Sequence, residues 1–142
     1  MRFTVYVAGS SKEPERAARA MNALRAADIE VTSTWVDVIA ASGGASNPES
    51  ITHEQRYDYA IKDVSEVANA RVLWLLMPQS PSMGAFFEFG FARARGHQVL
   101  VSGANQYASI FTALAHGRCD TDEEALDVII QMKHRAQLPL ER

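Results

Sequence analysis

Glu88 has the most unusual surroundings of the residues in this sequence that could do chemistry. It lies in the segment Ala85-Phe86-Phe87-Glu88-Phe89, which follows an apolar stretch and a short turn. A carboxylate near the start of a helix, partly desolvated by aromatic rings, can attack an electrophilic carbon. Gly84 would allow a ligand to approach the beginning of that helix closely. A solvated helix face, stabilised by the helix dipole, is the alternative interpretation of Glu88.

Asp63 and Tyr6 are the other two candidates for chemistry. Asp63 lies 25 positions before Glu88 on a predicted amphipathic helix, where acidic residues are usually solvated. Tyr6 lies near the end of the first predicted strand and precedes Gly9-Ser10-Ser11-Lys12, a loop whose amide groups and lysine could bind a phosphate group. A plain core position is the alternative for Tyr6. The loop has too few glycines for a dinucleotide-binding fingerprint, and the sequence lacks a Walker A pattern.

Apolar segments alternate with amphipathic ones along the chain, which predicts alternating strands and helices. The predicted strands are Arg2–Val7, Glu30–Trp35, Arg71–Met77 and Gln98–Ser102. The predicted helices are Pro14–Ala27, Thr52–Ala68, Gly84–Arg95, Ser109–His116 and Thr121–His134.

Three local patterns refine these elements. Apolar residues spaced by three or four predict the buried stripe of the second helix, namely Tyr57, Ile61, Val64 and Ala68. Glycine and Asn-Pro breakers predict a long mobile loop over Ala41–Ser50. Thr121 and Glu124 have the spacing of a capping box at the start of the last helix.

The element order predicts an α/β fold. We expect a single domain over residues 1–142, with an open, mostly parallel sheet of Rossmann or flavodoxin type. Four or five strands with helices on both faces are expected, and the apolar run around Trp74 predicts a central strand. Ligands of such folds bind beyond the carboxyl ends of the strands. Those ends are predicted to lead into the loops after Val7, Trp35, Met77 and Ser102.

Composition excludes several other classes of function. The 142 residues carry a net charge of −3 without a basic block, so a nucleic acid polymer is not an expected partner. Apolar runs are too short to span a membrane, and the first residues do not resemble a secretory signal. The single cysteine, Cys119, is typical of a reducing compartment. We therefore expect a soluble, cytoplasmic protein.

Three sequence motifs resemble those of the nucleoside 2-deoxyribosyltransferase superfamily. They are Val5-Tyr6-Val7-Ala8-Gly9-Ser10, then His53-Glu54-Gln55 leading to Asp63, then Pro81-Ser82-Met83-Gly84-Ala85-Phe86-Phe87-Glu88-Phe89-Gly90. The similarity extends from the first strand to about Gly117. Members of that superfamily cleave the N-glycosidic bond of a nucleoside or nucleotide through a glutamate nucleophile. The resemblance implies that Glu88 is the nucleophile, that Asp63 helps to protonate the departing base, and that Tyr6 orients Glu88.

The residue at position 82 favours one branch of the superfamily. The transferases typically carry an aspartate there, whereas Ser82 resembles the 2′-deoxynucleoside 5′-monophosphate N-hydrolases. A hydroxyl can donate to a phosphate that a carboxylate would repel. In that branch the first loop also holds the phosphate, which implies binding roles for Gly9, Ser10 and Lys12. Thr112 matches a serine that the neighbouring subunit supplies, which implies a homodimer with a shared active site.

Two residues depart from the pattern of the hydrolases. Lys12 stands where they tend to have arginine, so a bidentate group is replaced by a point charge. Thr112 carries a methyl group that the serine lacks. Both departures concern the phosphate site, so the sequence leaves the assignment of a phosphate group open.

The resemblance implies cleavage of (2′-deoxy)nucleoside 5′-monophosphates through a covalent glycosyl-glutamate intermediate, without metal or cofactor. The substrate is expected to be a small nucleotide or nucleoside. Trp35 could stack on the base, although a core or interface position is favoured for it, and the segment Val36–Ser50 is expected to contact the base. Two alternatives stay open: base exchange between nucleosides, and a nucleotide-binding or sensing module without turnover. The base and the sugar, ribose or deoxyribose, are not predicted.

Overall fold

The computed structural model describes residues 2–41 and 48–138 and contains a five-stranded, fully parallel sheet. The strands are β1 (Thr4–Ala8), β2 (Glu30–Val31), β3 (Val72–Leu76), β4 (Gln98–Ser102) and β5 (Gly117–Cys119). Their order is β2-β1-β3-β4-β5, the order of flavodoxin-like sheets. β1 and β3 therefore lie side by side at the point where the chain reverses its direction of winding.

Five α-helices connect and cover the strands of the described chain. They are α1 (Pro14–Ala26), α2 (Trp35–Ala41), α3 (His53–Ala68), α4 (Met83–Ala94) and α5 (Asp122–Gln137). Val5 and Val7 pack with α1 and α5 on one face of the sheet, whereas Tyr6 and Ala8 pack with α3 and α4 on the other. The predicted α/β fold with helices on both faces is confirmed.

The central strands are buried on both faces because each one carries an unbroken apolar run. Every residue of β1 and of β3 is buried. Trp74 is a core residue, as predicted, and its indole nitrogen donates to the Ser102 hydroxyl at 2.8 Å. Gly96 follows α4 with a φ of +80°, a conformation that favours glycine after a helix.

The region after β2 differs from the prediction. β2 contains only two residues, and Trp35, which was predicted to end this strand, begins α2. The β-branched residues of Glu30–Trp35 favoured a longer strand, but residues 32–34 belong to no regular element. α2 occupies part of the region expected to be a base-contacting loop, and residues 42–47 of the predicted mobile loop lie outside the described residues.

The predicted buried stripe of α3 was wrong in part. Tyr57 is 60% exposed and Ile61 50% exposed, whereas Val67 is the buried residue of the helix. α3 contacts the sheet only near its carboxyl end, so its first three turns have little of the core to cover. A complete capping box at Thr52 and Gln55 begins the helix.

The carboxyl-terminal part also differs from the prediction. Ile110–Leu114 forms a 3₁₀ helix where an α-helix over Ser109–His116 was expected, and the three-residue strand β5, which no predicted element covered, follows it. At the start of α5, the Thr121 hydroxyl accepts from the Glu124 amide. The Glu124 carboxylate accepts from the Asp120 amide, so the predicted capping box is only half formed. In the described residues, no helix combines the length and hydropathy that crossing a bilayer would require.

Candidate active site

Glu88 and Tyr6 form a buried hydrogen-bonded pair. α4 begins after Ser82 and carries Glu88 in its second turn, where the side chain is only 8% exposed. Tyr6 projects from β1 toward the same helix and is fully buried, and its hydroxyl donates to Glu88 Oε2. The sequence left a solvated glutamate and a plain core tyrosine open as alternatives. The burial of Glu88 excludes the first, whereas Tyr6 is a core residue whose hydroxyl also binds Glu88.

A cavity of about 780 Å³ opens in front of Glu88, at the carboxyl ends of β1 and β3. Its walls come from the loop after β1, from α2 and α3, and from the start of α4. This is the place where ligands bind in sheets of this topology. It brings together eight of the predicted site residues: Gly9, Ser10, Lys12, Trp35, Asp63, Ser82, Gly84 and Glu88. Tyr6 lies behind Glu88 and is not itself part of the lining.

The acidic groups of the cavity hold protons more strongly than ordinary carboxyl groups. Burial raises the pKa of Glu88 to about 8; the hydrogen bond from Tyr6 opposes this increase, while Asp63 and Glu66 add to it. Burial also raises the pKa of Asp63 to about 6, helped by the Glu66 carboxylate and opposed by the Lys62 ammonium group. Burial and the nearby Glu88 raise the pKa of the Tyr6 phenol. Perturbed acids in a cavity are typical of functional sites.

The loop after β1 presents polar groups to the cavity. Ser10 is buried, and its hydroxyl oxygen accepts from the Lys12 amide at 3.1 Å. The proton of that hydroxyl is then directed away from Lys12 and can be donated to a ligand. The side chain of Lys12 is exposed and lines the same cavity. Hydroxyl and ammonium donors of this kind suit an anionic group.

Trp35 reaches the cavity from a different element than predicted. It begins α2 instead of ending β2, and its indole nitrogen donates to the Val7 carbonyl at 2.8 Å. This bond fixes the ring beside the loop after β1, where a Cβ atom added to Gly9 would lie 3.7 Å from it. The half-buried ring therefore forms a wall of the cavity.

Ser82 and Gly84 lie at the amino end of α4. The Ser82 hydroxyl accepts from the Ala85 amide and caps the helix, a role that the sequence analysis did not assign. Its proton is left to donate into the cavity. A Cβ atom added to Gly84 would meet no protein atom within 4 Å, so the space beside this glycine is open to a ligand.

Thr112 lies apart from the cavity of its own chain. It is 2% exposed and does not line the cavity. Its hydroxyl lies within donating distance of two backbone carbonyl oxygens, that of Gln106 at 2.6 Å and that of Ser109 at 2.8 Å. The predicted contact of Thr112 with a ligand in a neighbouring subunit stays a prediction.

Several residues of the cavity were not identified from the sequence. Tyr59, Arg56 and Lys62 line it from α3, and Ile39 lines it from α2. Glu66 was also missed, although it perturbs both acids. Arg56 lies roughly two helical turns before Asp63 and Glu66 roughly one turn after it, a spacing that could have indicated a shared face.

No metal centre is found in the described part of the chain. Among residues 2–41 and 48–138, no group of three His, Cys, Asp or Glu side chains is arranged to hold a metal ion. The cationic groups of the cavity and its hydroxyls suit an organic anion better than a metal ion.

Comparison with known proteins supports the fold. No protein-family model and no curated protein sequence matches the chain. Among solved structures, the CMP N-glycosidase BcmB of Clostridium botulinum matches it with a TM-score of 0.57 and 18% sequence identity. The match covers 91% of this chain and 98% of that chain. Over nearly its whole length, the chain therefore has the fold of a protein that acts on a nucleotide.

Proposed function

We propose that the protein hydrolyses the N-glycosidic bond of (2′-deoxy)nucleoside 5′-monophosphates, releasing the free base and the sugar 5-phosphate. The observation that carries the proposal is the buried Tyr6–Glu88 pair in the wall of a cavity that Asp63 also lines. The fold shared with a CMP N-glycosidase and the resemblance of the motifs around these residues support it.

In the first step, a carboxylate oxygen of Glu88 bonds to C1′ of the nucleotide while the bond between C1′ and the base nitrogen breaks. The electron pair of that bond moves to the base, and Asp63 supplies a proton to the base directly or through a water molecule. The products of this step are the free base and a sugar covalently bound to Glu88.

In the second step, a water oxygen attacks C1′ and the bond to Glu88 breaks, returning its electron pair to the carboxylate. The Asp63 carboxylate, which lost its proton in the first step, accepts the proton of the attacking water. Both acids are then restored. Two successive inversions at C1′ retain its configuration, as in retaining glycosidases.

The reaction needs one proton on the two acids together, located on Asp63. With pKa values of about 8 for Glu88 and about 6 for Asp63, the pair holds a single proton between those pH values. The proton lies mostly on Glu88, so the reactive arrangement is the minor one. We expect a bell-shaped dependence of kcat/KM on pH, rising through about 6 and falling through about 8.

The phosphate of the substrate is assigned to the loop after β1. Ser10 and Ser82 each have a hydroxyl proton available, and Lys12 supplies a positive charge. Arg56 and Lys62 add two cationic side chains to the lining from α3. An anionic substrate would therefore be attracted into a cavity that also contains two acids.

We assign the exposed apolar surface beside the cavity to contact with a second copy of the chain. Tyr107 and Ile110 are 78% and 82% exposed, and Phe87, which lines the cavity, is also exposed. Arg93 on α4 donates to the Leu114 carbonyl at 3.1 Å, so α4 and the 3₁₀ helix form one continuous surface. Because this surface reaches the cavity mouth, a partner would complete the site.

Sedimentation analysis tests the dimer. The wild-type chain is expected to sediment as a dimer at micromolar concentration, and Ile110→Lys as a monomer with reduced base release. Ile130→Lys is the matched control, because Ile130 is an exposed isoleucine of α5 on the opposite face of the sheet. A monomeric wild-type chain would contradict this assignment.

The proposed reaction is tested by chromatographic detection of free base. Deoxyribonucleoside monophosphates, ribonucleoside monophosphates and unphosphorylated nucleosides are incubated separately with the protein, with and without an added acceptor base. We expect release from monophosphates without an acceptor, no release by Glu88→Gln, and normal release by the control Glu54→Gln, since Glu54 is exposed at the far end of α3. Acid-quenched mass spectrometry is expected to detect a sugar phosphate adduct on Glu88.

Other outcomes of the same experiment distinguish the alternatives. Product formed only when an acceptor base is present would identify a base-exchanging transferase. Nucleotide-dependent melting without base release would identify a binding or sensing module. Release that persists in Glu88→Gln would refute the assigned nucleophile.

A further inference from the structure

Glu66 joins two elements of the cavity wall. Its carboxylate accepts from the Thr34 amide at 3.0 Å and from the Thr34 hydroxyl at 2.7 Å. Its backbone carbonyl accepts from the Thr32 hydroxyl at 2.9 Å. Glu66 thus holds the segment that leads into α2 through both of its carboxylate oxygens and through its backbone carbonyl.

The held segment determines where Trp35 lies. The Thr32 amide donates to the Val5 carbonyl, and the Ser33 hydroxyl accepts from the Val7 amide, so β1 binds the segment from the other side. Trp35 follows at once and donates to the Val7 carbonyl. The start of α2 is therefore fixed between β1 and α3 with Glu66 as its contact on α3.

Glu66 also lies one helical turn after Asp63 on α3. Residues three apart on a helix are neighbours on its surface, so the two carboxyl groups repel each other when both are ionised. The other charged or titratable groups near Asp63 are Lys62 on α3, Glu88 on α4 and Tyr6 on β1. Lys12 and Arg56 line the same cavity from the loop after β1 and from α3.

The electrostatic effects agree with this geometry. Burial is the main reason for the raised pKa of Asp63, and the Glu66 carboxylate is the next cause. For Glu88 the effect of Glu66 is in the same direction but ranks behind burial, the Tyr6 hydrogen bond and Asp63. Glu66 therefore acts in the same direction on the proposed proton donor and on the proposed nucleophile, and among the neighbouring charges it is the first cause only for the donor.

We infer that Glu66 is a positioning residue of the site: it anchors the start of α2 with Trp35, and its charge favours a proton on Asp63. The catalytic part of this inference rests on the proposed function. The anchoring and the charge effect are properties of the folded chain and are measurable without turnover.

Two substitutions separate the two effects of Glu66. Glu66→Gln removes the charge but keeps an oxygen that can accept from the Thr34 amide. Glu66→Asp keeps the charge but withdraws it by one methylene group from Thr34. Glu54→Gln is the control for both, because it removes an exposed carboxylate of the same helix, roughly 18 Å away along the axis.

The measurement is an NMR titration of the side-chain carboxyl carbons, with the Asp63 signal identified by its loss in Asp63→Asn. We expect the Asp63 midpoint to fall by about one pH unit in Glu66→Gln and to stay raised in Glu66→Asp and Glu54→Gln. Amide hydrogen exchange at Thr34 is expected to quicken at least about tenfold in Glu66→Asp and to change little in Glu66→Gln. An unchanged Asp63 midpoint in Glu66→Gln, or unchanged Thr34 exchange in Glu66→Asp, would overturn the inference.

Activity provides a separate readout. In Glu66→Gln the rising limb of the pH profile is expected to move to lower pH, and the maximal kcat/KM to fall several-fold because less of the pair carries its proton on Asp63. A purely structural role would leave the position of that limb unchanged. A wild-type protein that releases no base would refute the proposed function alone, because the NMR and exchange results still judge Glu66.

Discussion

Replacing Glu88 by glutamine is expected to stabilise the protein at alkaline pH while abolishing base release. The glutamate is buried beside Asp63, and its pKa is raised from 4.5 to about 8. A glutamine keeps the shape of the side chain and an oxygen that can accept from Tyr6, but it never ionises. Comparing the two proteins over a range of pH therefore isolates the energetic effect of one buried charge.

The sign follows from the numbers of protons bound. Between pH 4.5 and about 8, the folded chain holds a proton on Glu88 that the unfolded chain has released. The contribution of Glu88 to stability is thus fully present below pH 4.5 and is lost as the pH rises through 8. At about 1.4 kcal/mol per pH unit, the interval from 4.5 to about 8 corresponds to about 5 kcal/mol.

Urea unfolding at pH 5 and at pH 9 measures this difference. We expect the free energy of unfolding of Glu88→Gln, relative to the wild type, to increase by about 4 kcal/mol between the two pH values, because pH 5 already lies above 4.5. Other ionisable groups contribute almost equally to both proteins and cancel in the comparison. Glu54→Gln is expected to show no such increase. If the curves of Glu88→Gln and wild type stayed parallel from pH 5 to pH 9, Glu88 would not be a buried acid with a raised pKa.

Substitutions at three further positions of the site, Tyr6, Lys12 and Gly84, test it. Tyr6→Phe removes the donor that opposes protonation of Glu88. We therefore expect kcat/KM to fall about 10- to 100-fold and the falling limb of its pH profile to move to higher pH. A falling limb that stays in place would contradict this. Lys12→Ala should raise KM for monophosphates roughly tenfold without changing KM for unphosphorylated nucleosides, whereas Lys12→Arg should keep KM near the wild-type value. An equal rise of KM for both substrates in Lys12→Ala would exclude a phosphate contact. Gly84→Ala and Gly90→Ala should each stabilise α4 by up to about 1 kcal/mol, since neither Cβ meets a protein atom within 4 Å. Only Gly84→Ala should raise KM, because Gly84 lines the cavity and Gly90 does not, and identical kinetics for the two would refute a close approach of substrate.

The sheet and the pair at its edge could be predicted from the sequence because their signals are local. An apolar run such as that of β3 indicates a strand whatever its neighbours are, and parallel strands bring their carboxyl ends to one edge. Tyr6 lies near the carboxyl end of β1, and Glu88 lies on the helix that follows the carboxyl end of β3. Residues 82 positions apart could therefore be expected to meet.

Features that depend on contacts between distant segments could not be predicted. The β-branched residues of Glu30–Trp35 favour a strand by propensity, but the bonds of Thr34 to Glu66, 32 positions away, hold the chain where a helix begins. β5 has only three residues and forms because it pairs with β4, so it leaves no pattern of its own. The exposure of Tyr57 and Ile61 depends on how little of α3 the core covers, which periodicity does not reveal.

A second set of charged groups at the same sheet edge shows why the acids of the cavity are unusual. On the other face, Arg16 donates to both carboxylate oxygens of Asp122, at 2.8 and 3.0 Å. Burial alone would raise the pKa of Asp122, but the bonds from Arg16 and Ser102 lower it below its usual value. An acid matched in this way stabilises the folded chain at neutral pH. Glu88 receives its described hydrogen bond from the neutral Tyr6 and faces another acid, so the fold becomes less stable when Glu88 ionises. Asp122 has a cationic partner on one face of the sheet, whereas Glu88 on the other face has none among its described hydrogen bonds. The raised pKa of Glu88 therefore follows from its partners and not from its position at the carboxyl edge of the sheet. Raised pKa values of this kind are expected of groups that exchange protons with a substrate.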